Sequence, residues 1–254
     1  MYTRLMIVLV VLFILFEGFM VYLLFKYKQG KIEKNPLLML PKKESKFIYY
    51  AFFKWKLKNQ ASNERTTFSL NMNTNYFWFY IALLHEQIIE MVIFHFYFKS
   101  VEPSLAYIIS ALHIYSILYI IGDYNWVRNT PICVKEKDIH IKVGGRREIF
   151  FTVDDIKLIQ PAKLKINNHG GIIHEKDVFH ATAFPRALTR TFGISDELKH
   201  EIIFNKPIYY TSYFGVKKQA NTVFSYIEDS GQLVNLLEEK LKNIQANKQH
   251  VDLI

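Results

Sequence analysis

The sequence predicts an α+β chain, with three transmembrane α-helices followed by a cytoplasmic antiparallel β-sheet domain that ends in a C-terminal amphipathic helix. Three observations carry this expectation. Residues 5–25, 76–98 and 104–122 are apolar runs of about the ~20 residues that a ~30 Å hydrocarbon layer requires of a helix rising ~1.5 Å per residue. Polar sequence begins near Asp123. Beyond Lys137 the pattern changes to apolar alternation broken by glycine turns, the rhythm of antiparallel hairpins.

The first run, LMIVLVVLFILFEGFMVYLLF, is preceded by Arg4 and closes on Lys26-Tyr27-Lys28 without a small-residue cleavage pattern, so an uncleaved anchor is expected. The second and third runs are joined only by residues 99–104, which makes them an antiparallel hairpin with Pro103 opening the third helix. The expected organisation is a first span at 1–27, a basic loop at 28–74, the helical hairpin at 75–127, the sheet domain at 128–245 and a loose tail at 246–254.

Charge sets the expected orientation. The loop after the first span is rich in lysine, from Lys26 through Lys58, whereas Arg4 and Lys99 are nearly alone at the opposite ends. Lysine and arginine are retained inside, which places the N-terminus outside and the basic loop and sheet domain in the cytoplasm of a multi-pass plasma-membrane protein. The lone Cys133 fits a reducing compartment. A net charge of +9 beside a membrane helix points to anionic lipid, at roughly 1 kcal/mol per basic residue near the surface. No nucleic-acid recognition motif accompanies the lysines, so nucleic acid is not an expected partner.

Within the loop, Phe47, Ile48, Ala51, Phe52 and Trp55 recur at helical spacing among lysines. Such a stripe suits a helix lying in the headgroup region, with Lys54, Lys56 and Lys58 as lipid contacts, or a helix packed on the sheet domain. The excess of aromatics, 21 Phe and 16 Tyr, gathers at span ends such as Tyr76–Tyr80 and Tyr124–Trp126, where interfacial belts form.

Titratable residues inside the spans form a candidate polar cluster: Glu17 in the first, Glu86 and Glu90 in the second, and His113 in the third. Glu17, Glu86 and His113 come to similar depths by helical rise, about 12 to 15 Å from the cytoplasmic ends. Buried carboxylates at ~2.5 kcal/mol or more seek partners, so the cluster reads either as interhelical hydrogen bonding or as an ion, proton or metal site. His85-Glu86 lacks the second histidine of a zinc-protease motif.

The sheet domain opens with Ile139, Ile141 and Val143 alternating with His140 and Lys142, turns at Gly144-Gly145, and returns over Glu148–Val153. A strand from Ile156 stops at Pro161. Residues 165–190 hold a turn cluster, His174 and His180 as surface-loop histidines, and Arg186 and Arg190 one helical turn apart. Strands follow over Glu201–Phe204 and Ile208–Phe214 around an Asn205-Lys206-Pro207 turn, then over Thr222–Ile227. Asp229 or Ser230 caps a last helix striped by Leu233, Leu236, Leu237, Leu241 and Ile244.

This order, in the block from Lys137 to Phe151 with Asp155-Ile156-Lys157 and in the run from Ile202 to Leu241, resembles the bacterial pleckstrin-homology-like (PH-like) domains attached to membrane helices. The resemblance covers about 110 residues, rests on strand rhythm and turns, and implies a binding or scaffolding module. It does not by itself carry phosphoinositide recognition, although Arg146 and Arg147 beside the glycine turn join the candidate anionic-lipid contacts.

No nucleotide loop, nucleophile elbow, paired-cysteine metal site or internal repeat occurs, and no cofactor is called for. The expected function is that of a non-catalytic regulatory, assembly or envelope-stress component, whose partners are the bilayer, anionic headgroups and another protein or a second copy of the chain. The alternative is an ion- or proton-translocating or sensing protein, or a membrane enzyme, built on the Glu17, Glu86, Glu90 and His113 cluster.

Overall fold

The structure is a computed structural model that describes residues 2–56, 66–70, 75–163, 173, 177–185, 199–225 and 230–251. Four helices precede most of the sheet: α1 (Tyr2–Lys28), α2 (Pro36–Phe53), α3 (Tyr76–Val101) and α4 (Pro103–Arg128). Both α3 and α4 are long and apolar enough to cross a bilayer, and only a small share of either is buried inside the protein. Large side chains such as Ile93, Phe96, Tyr107 and Leu112 stand on their outer surface. Pro103 opens α4, where its missing N–H costs nothing.

Eight strands form one curled, largely antiparallel sheet: β1 (Thr66–Phe68), β2 (Ile132–Lys135), β3 (Asp138–Val143), β4 (Arg147–Thr152), β5 (Ile156–Pro161), β6 (Val178–Ala181), β7 (His200–Thr211) and β8 (Lys217–Ser225). The order is β1-β2-β3-β4-β7-β8-β6, with β5 also paired to β7. The long β7 produces the curl. Its first half pairs with β5 and its last residues pair with β4, so one edge of a bent strand serves two partners and the sheet wraps into a half-barrel. The closing helix α5 (Ser230–Val251) sets Leu233 and Leu237 into the core.

Several elements differ from the sequence expectation. The Asn205-Lys206-Pro207 segment lies inside β7, where the register shifts between Ile203 and Ile208. A bulge there removes Pro207 from the ladder bond it cannot make, and Asn205 Nδ2 donates to the Asp154 carbonyl at 3.1 Å. His180 is buried in β6, its ring 5.7 Å from that of Phe224, rather than lying on a surface loop. Strands β1, β2 and β6 were not anticipated, and β1 comes from the stretch expected to be a basic loop. The last helix continues to Val251 instead of ending near residue 245. His174, Arg186 and Arg190 lie outside the described residues.

The loop helix also shifts. Asn35 caps α2 by accepting from the Leu37 N–H at 3.0 Å, with Pro36 in the first turn, so the helix begins about ten residues before the aromatic stripe and ends at Phe53. Trp55 and Lys56 therefore lie beyond it. Phe47 and Ala51 are buried, while Ile48, Phe52 and Phe53 remain exposed. The approach of α2 to α4 is so close that a Cβ on Gly122 would stand 2.2 Å from the Phe47 carbonyl oxygen, so only glycine fits there.

One continuous core joins helices and sheet. Tyr76 and Tyr80 of α3 and Tyr124 and Val127 of α4 pack with Ile132, Ile141, Phe151, Phe184 and Phe204. The hairpin base is thus a wall of the half-barrel, and α4 runs on through Asp123 to Arg128 without a break. Several of its polar residues tie it to neighbouring elements, although Asn125 Oδ1 is buried without a hydrogen-bond partner among the described residues. Asp123 meets Arg146, while Asn125 Nδ2 and Asn129 Nδ2 each donate at 3.1 Å to carbonyls at the end of α2, those of Tyr50 and Lys54. These bonds satisfy carbonyls that a helix C-terminus leaves without partners.

Candidate anion-binding cleft

Where α2 crosses the mouth of the half-barrel, a cleft of about 230 Å³ opens between the helix, the β3–β4 turn and the end of β7. Lys42, Lys43 and Lys46 share one face of α2 because residues three and four apart are neighbours on a helix. Lys34 approaches from the segment before α2, and Lys142 and Arg147 come from the two strands of the glycine hairpin. Six cationic side chains therefore face two carboxylates, Glu33 and Glu148. Both acids already have cationic partners, Lys217 at 3.9 Å for Glu33 and Lys142 at 3.0 Å for Glu148.

The floor of the cleft is the indole of Trp126, held between the rings of Phe47 (5.0 Å) and Tyr50 (5.4 Å, nearly parallel). Gly145 lies directly on it. A Cβ at this position would come within 2.4 Å of the indole, which explains why the turn of the hairpin lacks a side chain here. Lys46 Nζ stands 5.6 Å from the indole centroid, a cation–π distance. Lys43 bridges the two walls, donating to the Gly145 carbonyl at 2.9 Å and to the Tyr213 carbonyl, with its ammonium 4.6 Å from the Tyr213 ring centroid.

The cleft carries an excess of positive charge, with one of its six cations, Lys142, paired to Glu148. Burial, followed by the repulsion of Lys142, Lys34 and Lys46, pulls Lys43 from 10.5 down to about 8 in spite of Glu148. Lys46 is also lowered, by burial first and then by Lys142 and Lys42. Burial works against the Glu148 carboxylate, but Lys142 and His140 more than offset it and its pKa is lowered. An anion in the cleft offsets both the burial and the mutual repulsion that disfavour these charges, and the compact, multiply charged phosphate group matches donors that converge from three directions.

The sequence-predicted contacts divide here. Arg147 lines the cleft, and its Nη2 also donates to the carbonyls of Thr182 (3.1 Å) and Phe184 (3.4 Å). Arg146 points inward instead. Its Nε donates to Asp123 Oδ1 at 2.9 Å, its Nη1 to the Ala183 carbonyl at 2.5 Å, and its Nη2 to Tyr76 at 2.6 Å and to Asp123 Oδ2. Its side chain is 11% exposed, so Arg146 ties hairpin to sheet rather than reaching a headgroup. Lys54 lies at the C-terminus of α2 near the Tyr49 ring, Lys56 is exposed beyond it, and Lys58 falls outside the described residues. Lys34, Lys42, Lys43, Lys46 and Lys142 were counted in the sequence as charge, and the i, i+4 pair Lys42 and Lys46 was the signal of a shared face.

The intramembrane candidates are only partly gathered. His113 Nδ1 meets Gln87 Oε1 at 3.3 Å, and Gln87 Nε2 donates to Glu90 at 3.0 Å, so a glutamine stands between histidine and carboxylate. Glu86, one turn before Glu90 on α3, is exposed, and no hydrogen bond joins it to these side chains among the described residues. Glu17 lies on a separate groove that Gln87 also lines. Among the described residues no three His, Cys, Asp or Glu side chains converge as metal ligands.

Comparison with known proteins returns no matching family model, no matching curated relative and no matching solved structure, so the reading of this cleft rests on its own geometry.

Proposed function

We propose that the chain is an integral membrane protein whose curled sheet domain, a PH-like binding module, recognises a phosphate-bearing anionic headgroup in the Lys42–Lys43–Lys46 cleft. The six cations on a shared aromatic floor are the observation that carries this reading. Three features support the membrane setting: the apolar outer surfaces of α3 and α4, the further 27-residue apolar helix α1, and the lysines at its end, which favour a cytoplasmic cleft and an external N-terminus. In that setting α2 lies at the bilayer surface, with Ile48, Phe52 and Phe53 toward acyl chains and its lysine face toward the headgroup layer. Recruitment of such a lipid, or of a partner carrying the same group, suits a regulatory or assembly role.

The test uses full-length protein in an uncharged detergent, titrated with dioctanoyl phosphatidic acid, dioctanoyl phosphatidylcholine and inorganic phosphate, with heat as the readout. Saturable binding of phosphatidic acid, absent for phosphatidylcholine and lost in a Lys34→Gln, Lys46→Gln, Lys142→Gln variant, supports the proposal. Equal binding of inorganic phosphate assigns the site to a free anion and removes the lipid part. Binding that survives the triple substitution, or none in the native chain, refutes the cleft.

A further inference from the structure

A second cavity lies across α2 from the basic cleft, between α1, α2, α4 and the turn before β8, with a volume of about 1120 Å³. Its chemistry is the reverse of the first. Most of its lining is apolar and aromatic, including Phe16, Phe19, Tyr115, Tyr119 and Phe214. The charged groups are Glu17 and Glu44, and no lysine, arginine or histidine lines it among the described residues. The separation follows from helical geometry: Leu37, Leu40, Pro41 and Glu44 lie on the face of α2 opposite Met39, Lys43 and Lys46.

Rings and carboxylates are arranged within this groove. Tyr115 donates to Glu44 Oε2 at 2.6 Å, Tyr119 and Tyr213 share a hydrogen bond at 2.7 Å, and Phe19 stands edge-on to Phe214 at 5.1 Å. Among the described residues Glu17 has no ion-pair partner, although it lies in an apolar wall midway along α1. A carboxylate in such surroundings is stabilised by a mobile positive charge, and ring faces attract the same sign through their quadrupoles.

We infer that this groove binds a lipophilic organic cation, with Glu17 and Glu44 supplying charge complementarity and the tyrosine and phenylalanine rings supplying the apolar wall. The volume, about 1120 Å³, slightly exceeds the range of about 300 to 1,000 Å³ for cavities that hold drug-sized ligands, so it suits a multi-ring or chain-bearing amphiphile rather than a metal ion. An anionic amphiphile is disfavoured here by the same two carboxylates. The assignment stands apart from the anion cleft, because the two sites share no lining residue.

The test compares two ions of almost the same size and shape, tetraphenylphosphonium and tetraphenylborate, binding to full-length protein in an uncharged detergent by equilibrium dialysis. The expected result is saturable binding of the cation only, weakened by on the order of tenfold or more in a Glu17→Gln, Glu44→Gln variant. Glutamine at position 44 keeps an acceptor for Tyr115, so the groove retains its shape. A thermal melting curve matching that of the native chain confirms that the variant is folded, whether or not the protein binds phosphatidic acid, and the Lys34, Lys46 and Lys142 variant binds the cation normally. Equal uptake of both ions, or cation binding indifferent to the two glutamine substitutions, overturns the inference.

Discussion

Replacing Arg146 by methionine tests how the helical hairpin is fastened to the sheet. The guanidinium donates to Asp123, Tyr76 and the Ala183 carbonyl, and both side chains of the ion pair are about nine-tenths closed to solvent at 11% and 12% exposure. Burial disfavours the charge of Arg146, yet Asp123 and Tyr76 more than compensate and its pKa is raised. Methionine fills much of the volume but leaves the Asp123 carboxylate with the Tyr76 hydroxyl, at 3.1 Å, as its remaining described side-chain partner. Stranding one member of a buried pair costs about 3–5 kcal/mol. For a chain of this length that lowers the melting temperature by about 10 °C. Leucine at position 123 alone strands the arginine at a similar cost. The double substitution removes both charges, and apolar replacement of a buried pair is neutral or stabilising by about 1–4 kcal/mol. The assay is thermal unfolding of purified full-length protein in mild detergent, followed by tryptophan fluorescence, because Trp126 lies against Gly145 next to Arg146. A single variant melting within about 2 °C of the native chain, or a double variant as unstable as the two singles combined, would falsify the view that this pair is the fastening.

Two further outcomes follow from the same geometry. Alanine at Gly122 drives a Cβ to 2.2 Å from the Phe47 carbonyl oxygen, a backbone atom that cannot rotate away; it is expected to cost about 1–3 kcal/mol and to weaken phosphate binding by displacing α2, whereas alanine at Gly18, where nothing lies within 4 Å, leaves melting and binding unchanged or slightly improved. The pH dependence has two opposite signs: because Lys43 titrates near 8 in the fold and at 10.5 when unfolded, phosphatidic acid affinity falls as pH rises through about 8. Over the same interval the unliganded protein gains stability, since the unfolded chain then binds the extra proton; calorimetry for binding and melting curves for stability, taken between pH 7 and 10, check both trends.

The hairpin rhythm of β3 and β4 was legible because alternate residues face alternate sides of a strand, and Gly144-Gly145 marks the turn in the sequence itself. Asn205-Lys206-Pro207 carries the local signature of a turn, but the segment lies within β7. Only the pairing of Ile208 with Ala220 beyond a register shift keeps the chain extended there. The turn-rich neighbours of His180 point to a loop, yet its parallel partner Phe224 of β8 draws it into a short buried strand.

What the sequence determined alone is local: apolar length, strand alternation, caps and the sign of the charge on each segment, all properties of residues within a few positions of one another. It therefore yielded the α3–α4 hairpin, an antiparallel sheet and a last amphipathic helix. The tertiary structure decided which lysines face a common space, that Arg146 is turned inward to Asp123, and that Gln87 stands between His113 and Glu90. Lys42 and Lys142 are a hundred positions apart, and only the crossing of α2 over the mouth of the half-barrel brings them to one cleft. Such proximity is set by the summed packing of Gly122, Phe47, Trp126 and Gly145, and that packing leaves no periodic trace in the chain.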